Sequence, residues 1–215
     1  DDFSNENFKF ATAKFVKIND VEVWAQRISY VGELGFELYV KKENALKLFD
    51  ILIDKGKTYK ISLCGMHAMD IMRMESGYLH WGHDISPEEN QFEAGLNFAV
   101  SFKKNINFIG RAALEKKRDK KDHKKFKMLI LNHSKEGAPL LLHDEPIYLK
   151  DKIVGRTTSG CYSFNYNKNL AFGYINSGLT SDQIDKQAFE IEVEKKKYAA
   201  SVITRPLNDK KLSSL

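Results

Sequence analysis

Eleven consecutive residues, "EKKRDKKDHKK" at 115–125, contain no hydrophobic side chain. A stretch this polar offers no face to a core, so it divides what lies before it from what lies after. It reads as a solvated linker or helix end; the alternative is a basic patch for an acidic partner. The hydrophobic period differs on its two sides. Before it, strand-like and helix-like patterns alternate. After it come short β-rich segments, "FKMLILN", "EPIYLKDKIVGRTTSG", "LAFGYI" and "FEIEVEKKKYAASVI", punctuated by Gly, Asn and Asp-Lys turns. The expected fold class is α+β: a sheet-plus-helix region over 1–115, a basic linker over 116–125, and a small antiparallel barrel or sandwich over 126–215.

Within the first region, "VEVWAQRISY" (21–30) places Val21, Val23 and Ala25 on one parity and Trp24, Ile28 and Tyr30 on the other, as in a strand covered on both faces. "VGELG" (31–35) supplies two glycines for a hairpin loop, and "FELYV" continues as a second strand. From Asn44 the spacing changes to three and four, with Ala45, Leu48, Phe49, Leu52 and Ile53 on one face, Asn44 as N-cap and Gly56 as stop. "CGMHAMDIMRMES" (64–76) predicts another helix. Its apolar residues run all round, which implies burial, with Asp70 and Arg73 paired at i,i+3.

At 42% hydrophobic and 12% aromatic residues, 215 residues can fill a core. The formal charge of +5 arises from 34 basic against 29 acidic residues, and the bases gather mainly in one run, so a nucleic-acid surface is not implied. No apolar stretch is long enough to span a membrane, and no secretory leader opens the chain. Cys64 and Cys161 cannot build a disulfide framework and point to a reducing compartment, by default the cytoplasm. The start at Asp1 rather than Met suggests that N-terminal context is missing.

The stretch "GYLHWGHDISPEENQFEAG" (77–95) raises a metal question, since His80, His83 and Asp84 are closely spaced. Gly82 and Pro87 break any helix that would fix the two imidazoles together. A loop in which Trp81 packs and Asp84 or Asn90 bonds backbone amides is the stronger reading. The chain has no GxGxxG, Walker loop, GxSxG or CxxC.

Taken in order, "RISYVGELGFELYV" (27–40), "CGMHAMDIMRMESGYLHWGHDISPEENQFEAGLNFAV" (64–100), "FIGRAAL" (108–114) and "GRTTSGCYSFNYNKNLAFGYI" (155–175) resemble successive motifs of the glycine-cleavage T-protein (aminomethyltransferase) family. "GYLHWGHD" with "TTSG" is most similar to the folate-binding C-terminal portion of dimethylglycine and sarcosine dehydrogenases. The resemblance implies a partial aminomethyltransferase folate-binding domain followed by a barrel. It also implies transfer of an amine-derived one-carbon unit to tetrahydrofolate, with FAD only where an upstream flavin domain exists, or a lipoyl carrier protein as partner in a stand-alone T-protein. A non-catalytic folate-binding module is the third reading.

By resemblance, Glu33 is the carboxylate of the "YxGExG" motif that accepts the pterin's amino-pyrimidine N–H groups, a planar two-point fit. Phe98 stands at the aromatic position of "GLxW", as a wall of the folate site or as strand core, and Tyr30 is a neighbour of the site or a core aromatic. Asp70 matches the aspartate of "ARD", with pairing to Arg73 the expected role. Met69 replaces the arginine that many T-proteins carry before that aspartate, which removes a cationic donor and argues against the glycine-cleavage role. The family's catalytic aspartate belongs to a motif upstream of Asp1, so no catalytic residue is assigned.

Overall fold

The computed structural model describes residues 1–118, 123–133 and 135–210. By packing, the chain divides into two compact units, Asp1–Ser76 together with the residues from Asn208 onward, and Gly77–Leu207.

The first unit is built on a three-stranded antiparallel sheet in the order β1 (Ala13–Ile18), β2 (Val21–Gln26), β3 (Glu37–Tyr39). β1 and β2 form a tight hairpin whose turn residue Asn19 takes φ 51°, a left-handed conformation that asparagine tolerates. Val16, Val21, Val23 and Ala25 point into one core with Phe8 and Leu48. Leu48 comes from helix α1 (Ala45–Gly56), whose apolar stripe covers that face, each fully buried aliphatic contributing about 1.5–3 kcal/mol. Only one face of β2 is core: Phe15 of β1 is exposed and stacks on half-buried Trp24, so the expected two-sided burial is not found. Asn44 does occupy the N-cap of α1, but its side chain makes no capping bond because a short 3-10 turn, Lys42–Asn44, leads into the helix.

Helix α2 (Met66–Glu75) buries Arg73, Met74 and Glu75. Its first turn is exposed at Met66, so the helix is buried at its C-terminal end alone. An all-round apolar pattern says that a helix can be buried, not which end is.

In the second unit, helix α3 (Arg111–Arg118) takes up the first part of the basic run, and 119–122 lie outside the described residues. Strands β4 (Lys125–Leu131), β5 (Pro146–Leu149), β6 (Lys152–Ser163) and β7 (Lys168–Ile175) follow. After them come the short helix α4 (Ser181–Ile184) and strands β8 (Ala188–Val193) and β9 (Lys196–Ile203). The strands close into an antiparallel barrel in the order β4-β7-β6-β5-β8-β9, with β9 returning to β4, so no edge is left open. Alternating residues fill it: Leu129 and Leu131 from β4, Ile147 from β5, Phe189, Ile191 and Val193 from β8. The fold is thus the mixed α+β class with a small antiparallel barrel that the segment pattern implied. Thr180 caps α4 in a reciprocal box with Gln183.

Candidate functional site

The glycine loop after β2 is fixed in the first unit by a local serine and by hydrogen bonds from two distant parts of the chain. Ser29 Oγ accepts from the backbone N–H of Val31 at 3.2 Å and of Glu33 at 3.3 Å, which bends the chain sharply after Tyr30. Gly32 sits at φ +71°, and a Cβ there would fall 2.0 Å from Ser76 Oγ and 2.6 Å from Asn208 Nδ2. Only glycine allows both that conformation and that approach. Asn208 Nδ2 donates to Gly32 O at 3.2 Å and to Ser76 Oγ at 3.1 Å, and the Asn208 N–H donates to Glu75 O at 2.8 Å. The loop is therefore pinned between the end of α2 and the C-terminal segment.

Glu33 stands at the tip of this loop with its side chain 42% exposed, and Lys210 Nζ donates to its Oε1 at 2.7 Å. Tyr30, half-buried, shares the loop. A narrow cleft lies beside it, with Phe10, Arg27 and Ile28 among its walls and Glu33 at its rim. Arg27 is buried and donates to Phe8 O at 2.6 Å and to Asn5 Oδ1 at 2.5 Å, so this cation supports the strand end. On α2, Arg73 is 1% exposed and its Nε donates to Asp70 Oδ1 at 2.7 Å. The expected Asp70–Arg73 pair is present.

Phe98 belongs to the second unit. It lies on a single 3-10 turn, Asn97–Ala99, and is 86% exposed, so the expectation that it could serve as strand core is overturned. Glu33, Tyr30 and Asp70 thus share one unit and Phe98 is in the other.

The stretch 77–95 is a structural corner of the second unit. Asp84 has no exposed surface; Oδ2 accepts the His80 N–H at 2.9 Å, and Oδ1 accepts the hydroxyls of Thr158 at 2.6 Å and Ser159 at 2.8 Å. Consecutive strand residues normally point to opposite faces. Here the register of β6 against β7 shifts between Thr157 and Ser159, and this bulge lets both hydroxyls reach one carboxylate. Tyr174 OH donates to the Asp84 carbonyl at 2.8 Å, and burial first, then the charges of Glu89, Asp84 and Glu93, push the phenol far above its ordinary range. Asn90 Oδ1 accepts from Phe92 N–H at 3.0 Å and Glu93 N–H at 3.3 Å. The loop reading therefore holds for Asp84 and Asn90. It fails for Trp81, which is exposed rather than packed. The rings of His80 and His83 stack at 4.3 Å, and among the described residues no three His, Cys, Asp or Glu side chains are grouped to hold a metal ion.

Lys210, Asn208 and Ser76 carried no sequence signal. They reach the loop across 177, 176 and 45 residues respectively, and nothing local marks a lone Lys or Asn as a distant loop's partner.

A pinned glycine loop presenting a carboxylate, followed by a closed barrel anchored through a buried aspartate, defines a two-part α+β protein of the aminomethyltransferase fold. Residues 1–104 match the GCVT N-terminal domain and residues 124–209 the glycine cleavage T-protein C-terminal barrel domain. The chain belongs to the glycine-cleavage T-protein family. It is 36% identical over 96% of its length to mitochondrial dimethylglycine dehydrogenase of Homo sapiens, of which it spans 23%. To an aminomethyltransferase of Listeria innocua it is 32% identical over 95% of its length, spanning 53% of that protein. The crystal structure of glycine cleavage system aminomethyltransferase T from Bartonella henselae superposes with a TM-score of 0.80 at 22% identity, covering 96% of this chain and 54% of that one. The chain therefore spans about a quarter to a half of the length of these relatives. Among the described residues no helix is long and apolar enough to cross a membrane.

Proposed function

We propose that this chain is the folate-handling part of a T-protein-like enzyme, in which a one-carbon unit derived from a secondary or tertiary amine passes to tetrahydrofolate. The observation that carries this reading is Glu33: a half-exposed carboxylate on a loop that Gly32, Ser76 and Asn208 hold rigid. A carboxylate fixed in this way can accept two parallel N–H bonds from an amino-pyrimidine edge without reorganising its backbone. Tetrahydrofolate, when bound, supplies the nucleophilic nitrogen. The chain's own part is to orient it: Glu33 takes the pterin edge, Tyr30 backs the loop, and Asp70 supports α2 through Arg73.

Dimethylglycine or sarcosine is the amine we favour, with FAD only where an upstream flavin domain exists. The similarity to dimethylglycine dehydrogenase supports this, as does Met69, which leaves α2 with Arg73 facing Asp70 and no arginine at the position before it. A stand-alone glycine-cleavage role with a lipoyl carrier protein is the second reading, supported by the similarity to aminomethyltransferases. Residues 1–115 would form the folate-binding region, 116–125 the linker and 126–215 the barrel. Two cysteines are too few for a disulfide framework, which supports a reducing compartment, the cytoplasm or, by analogy with the dehydrogenase relatives, the mitochondrion.

The test is calorimetric titration of the intact protein with tetrahydrofolate. Glu33→Ala should weaken binding by about ten- to a hundredfold, the loss of hydrogen bonds to a charged acceptor. Unchanged affinity would remove Glu33 from the site.

A further inference from the structure

The basic run that the sequence leaves open as a patch for an acidic partner meets, in the second unit, a set of aromatic side chains. Arg118 at the end of α3, His123 and Lys125 border an open pocket of about 550 Å³, a volume within the roughly 300–1,000 Å³ of small-molecule sites. Its floor is aromatic. Phe92, Phe102 and Phe126, all half-buried, reach it from separate segments of the chain. Phe92 and Phe102 lie nearly parallel, 13° apart with centroids at 6.2 Å, and the Arg118 guanidinium lies over the Phe102 ring, 5.3 Å from its centroid. Phe126 stands edge-on to Phe172 and Tyr174 of the barrel, at 5.3 Å and 5.6 Å, and its N–H donates to Glu93 O at 2.8 Å. The floor is therefore anchored to the barrel wall.

The charges at the rim favour an anion. Arg118 and Lys125 are permanent cations, and Glu93, the one carboxylate among the described lining residues, is already engaged. Its Oε2 accepts from the Asn90 N–H at 3.0 Å and from Asn90 Nδ2 at 2.7 Å, and its Oε1 faces His123 Nδ1 at 3.7 Å. Lys125 gives one of its three N–H donors to His123 O at 2.9 Å. Ser181, also in the lining, accepts from Lys127 Nζ at 2.6 Å through Oγ, which leaves its own O–H to donate. Flat π-surfaces beside a guanidinium and an ammonium suit a ligand that is itself flat and negative: its ring stacks on phenyl and guanidinium faces, and its anion takes the N–H and O–H donors. We propose that this pocket binds a planar aromatic anion, a ring carrying a phosphate or a carboxylate group. Glu33 and its loop belong to the other unit, so this site stands independently of the folate reading.

The test is calorimetric titration of the intact protein with adenosine monophosphate, a phosphorylated ring, and separately with salicylate, an aryl carboxylate. The tighter of the two names the anion. Arg118→Gln and Lys125→Gln should each weaken that binding by about tenfold, the worth of a stacked or hydrogen-bonded cation. Lys168→Gln, exposed on the barrel, is the control and should leave it unchanged. Adenosine, which has the ring without the phosphate, should bind about tenfold more weakly than adenosine monophosphate. Neither inorganic phosphate nor tetrahydrofolate should displace the bound probe. No binding of either probe at millimolar concentration, wild-type affinity in both the Arg118 and Lys125 variants, or displacement by phosphate alone or by tetrahydrofolate would each overturn the assignment.

Discussion

Lys210 donates to the carboxylate of Glu33 at 2.7 Å, joining the C-terminal segment to the glycine loop across 177 residues. Both side chains are about half exposed, so the pair is worth at most about 1 kcal/mol. If a pterin edge needs the same oxygens, Lys210 competes with it. Lys210→Met should therefore tighten tetrahydrofolate binding by up to about fivefold at low salt, with the gain fading as salt screens the pair. Titrations at two ionic strengths check this; weaker binding would make Lys210 a ligand contact instead.

The loop itself depends on Gly32. Gly32→Ala forces a Cβ against Ser76 Oγ and Asn208 Nδ2 at a φ that alanine resists. It should cost about 1–3 kcal/mol of stability in the first unit and weaken folate binding beyond the loss in folded protein. Urea unfolding alongside calorimetry separates the two effects.

Asp84 anchors the 80–85 turn to the bulge of β6. Asp84→Ala would leave the hydroxyls of Thr158 and Ser159 and the His80 N–H facing a dry void, at about 3–5 kcal/mol. Thr158→Val removes one donor and should cost about 1 kcal/mol. Chemical denaturation of both variants, monitored by circular dichroism, gives the comparison.

Tyr174 makes a prediction for alkaline pH. Its phenol is raised above its ordinary 10.0, by burial first and by neighbouring carboxylates second. The neutral phenol is favoured in the folded state, so its contribution is complete below about pH 10 and is lost as pH rises towards the folded value. Stability of the wild type should fall above about pH 10, and Tyr174→Phe, which cannot ionise, should flatten that fall. Parallel slopes in the two proteins would contradict the assignment.

How much of this was legible in the sequence follows the range of the forces involved. The β1–β2 turn aside, Val21, Val23 and Ala25 announce a strand and Ala45 to Gly56 a helix, because period and caps are local. The short barrel strands after the basic run read the same way. Strand β1 passed unread, and helix α3 was read only as a helix end within the charged run, its start at Arg111 unmarked. Phe98 could not be read as exposed, since hydrophobicity does not say whether a covering surface is present. The convergence of Thr158 and Ser159 on Asp84 needs a bulge, and the clamp of Asn208 and Lys210 on the glycine loop needs tertiary closure. Neither leaves a trace in spacing.

In the proposed site the Glu33 carboxylate accepts two N–H bonds from the pterin edge. The most direct measurement is tetrahydrofolate affinity of Glu33→Gln beside wild type in the intact protein. Glutamine keeps the shape but turns one acceptor oxygen into a donor and removes the charge. A loss of about tenfold or more is expected, with stability lowered by at most about 1 kcal/mol, the worth of the exposed Lys210 pair. Equal affinity in the two proteins would contradict it.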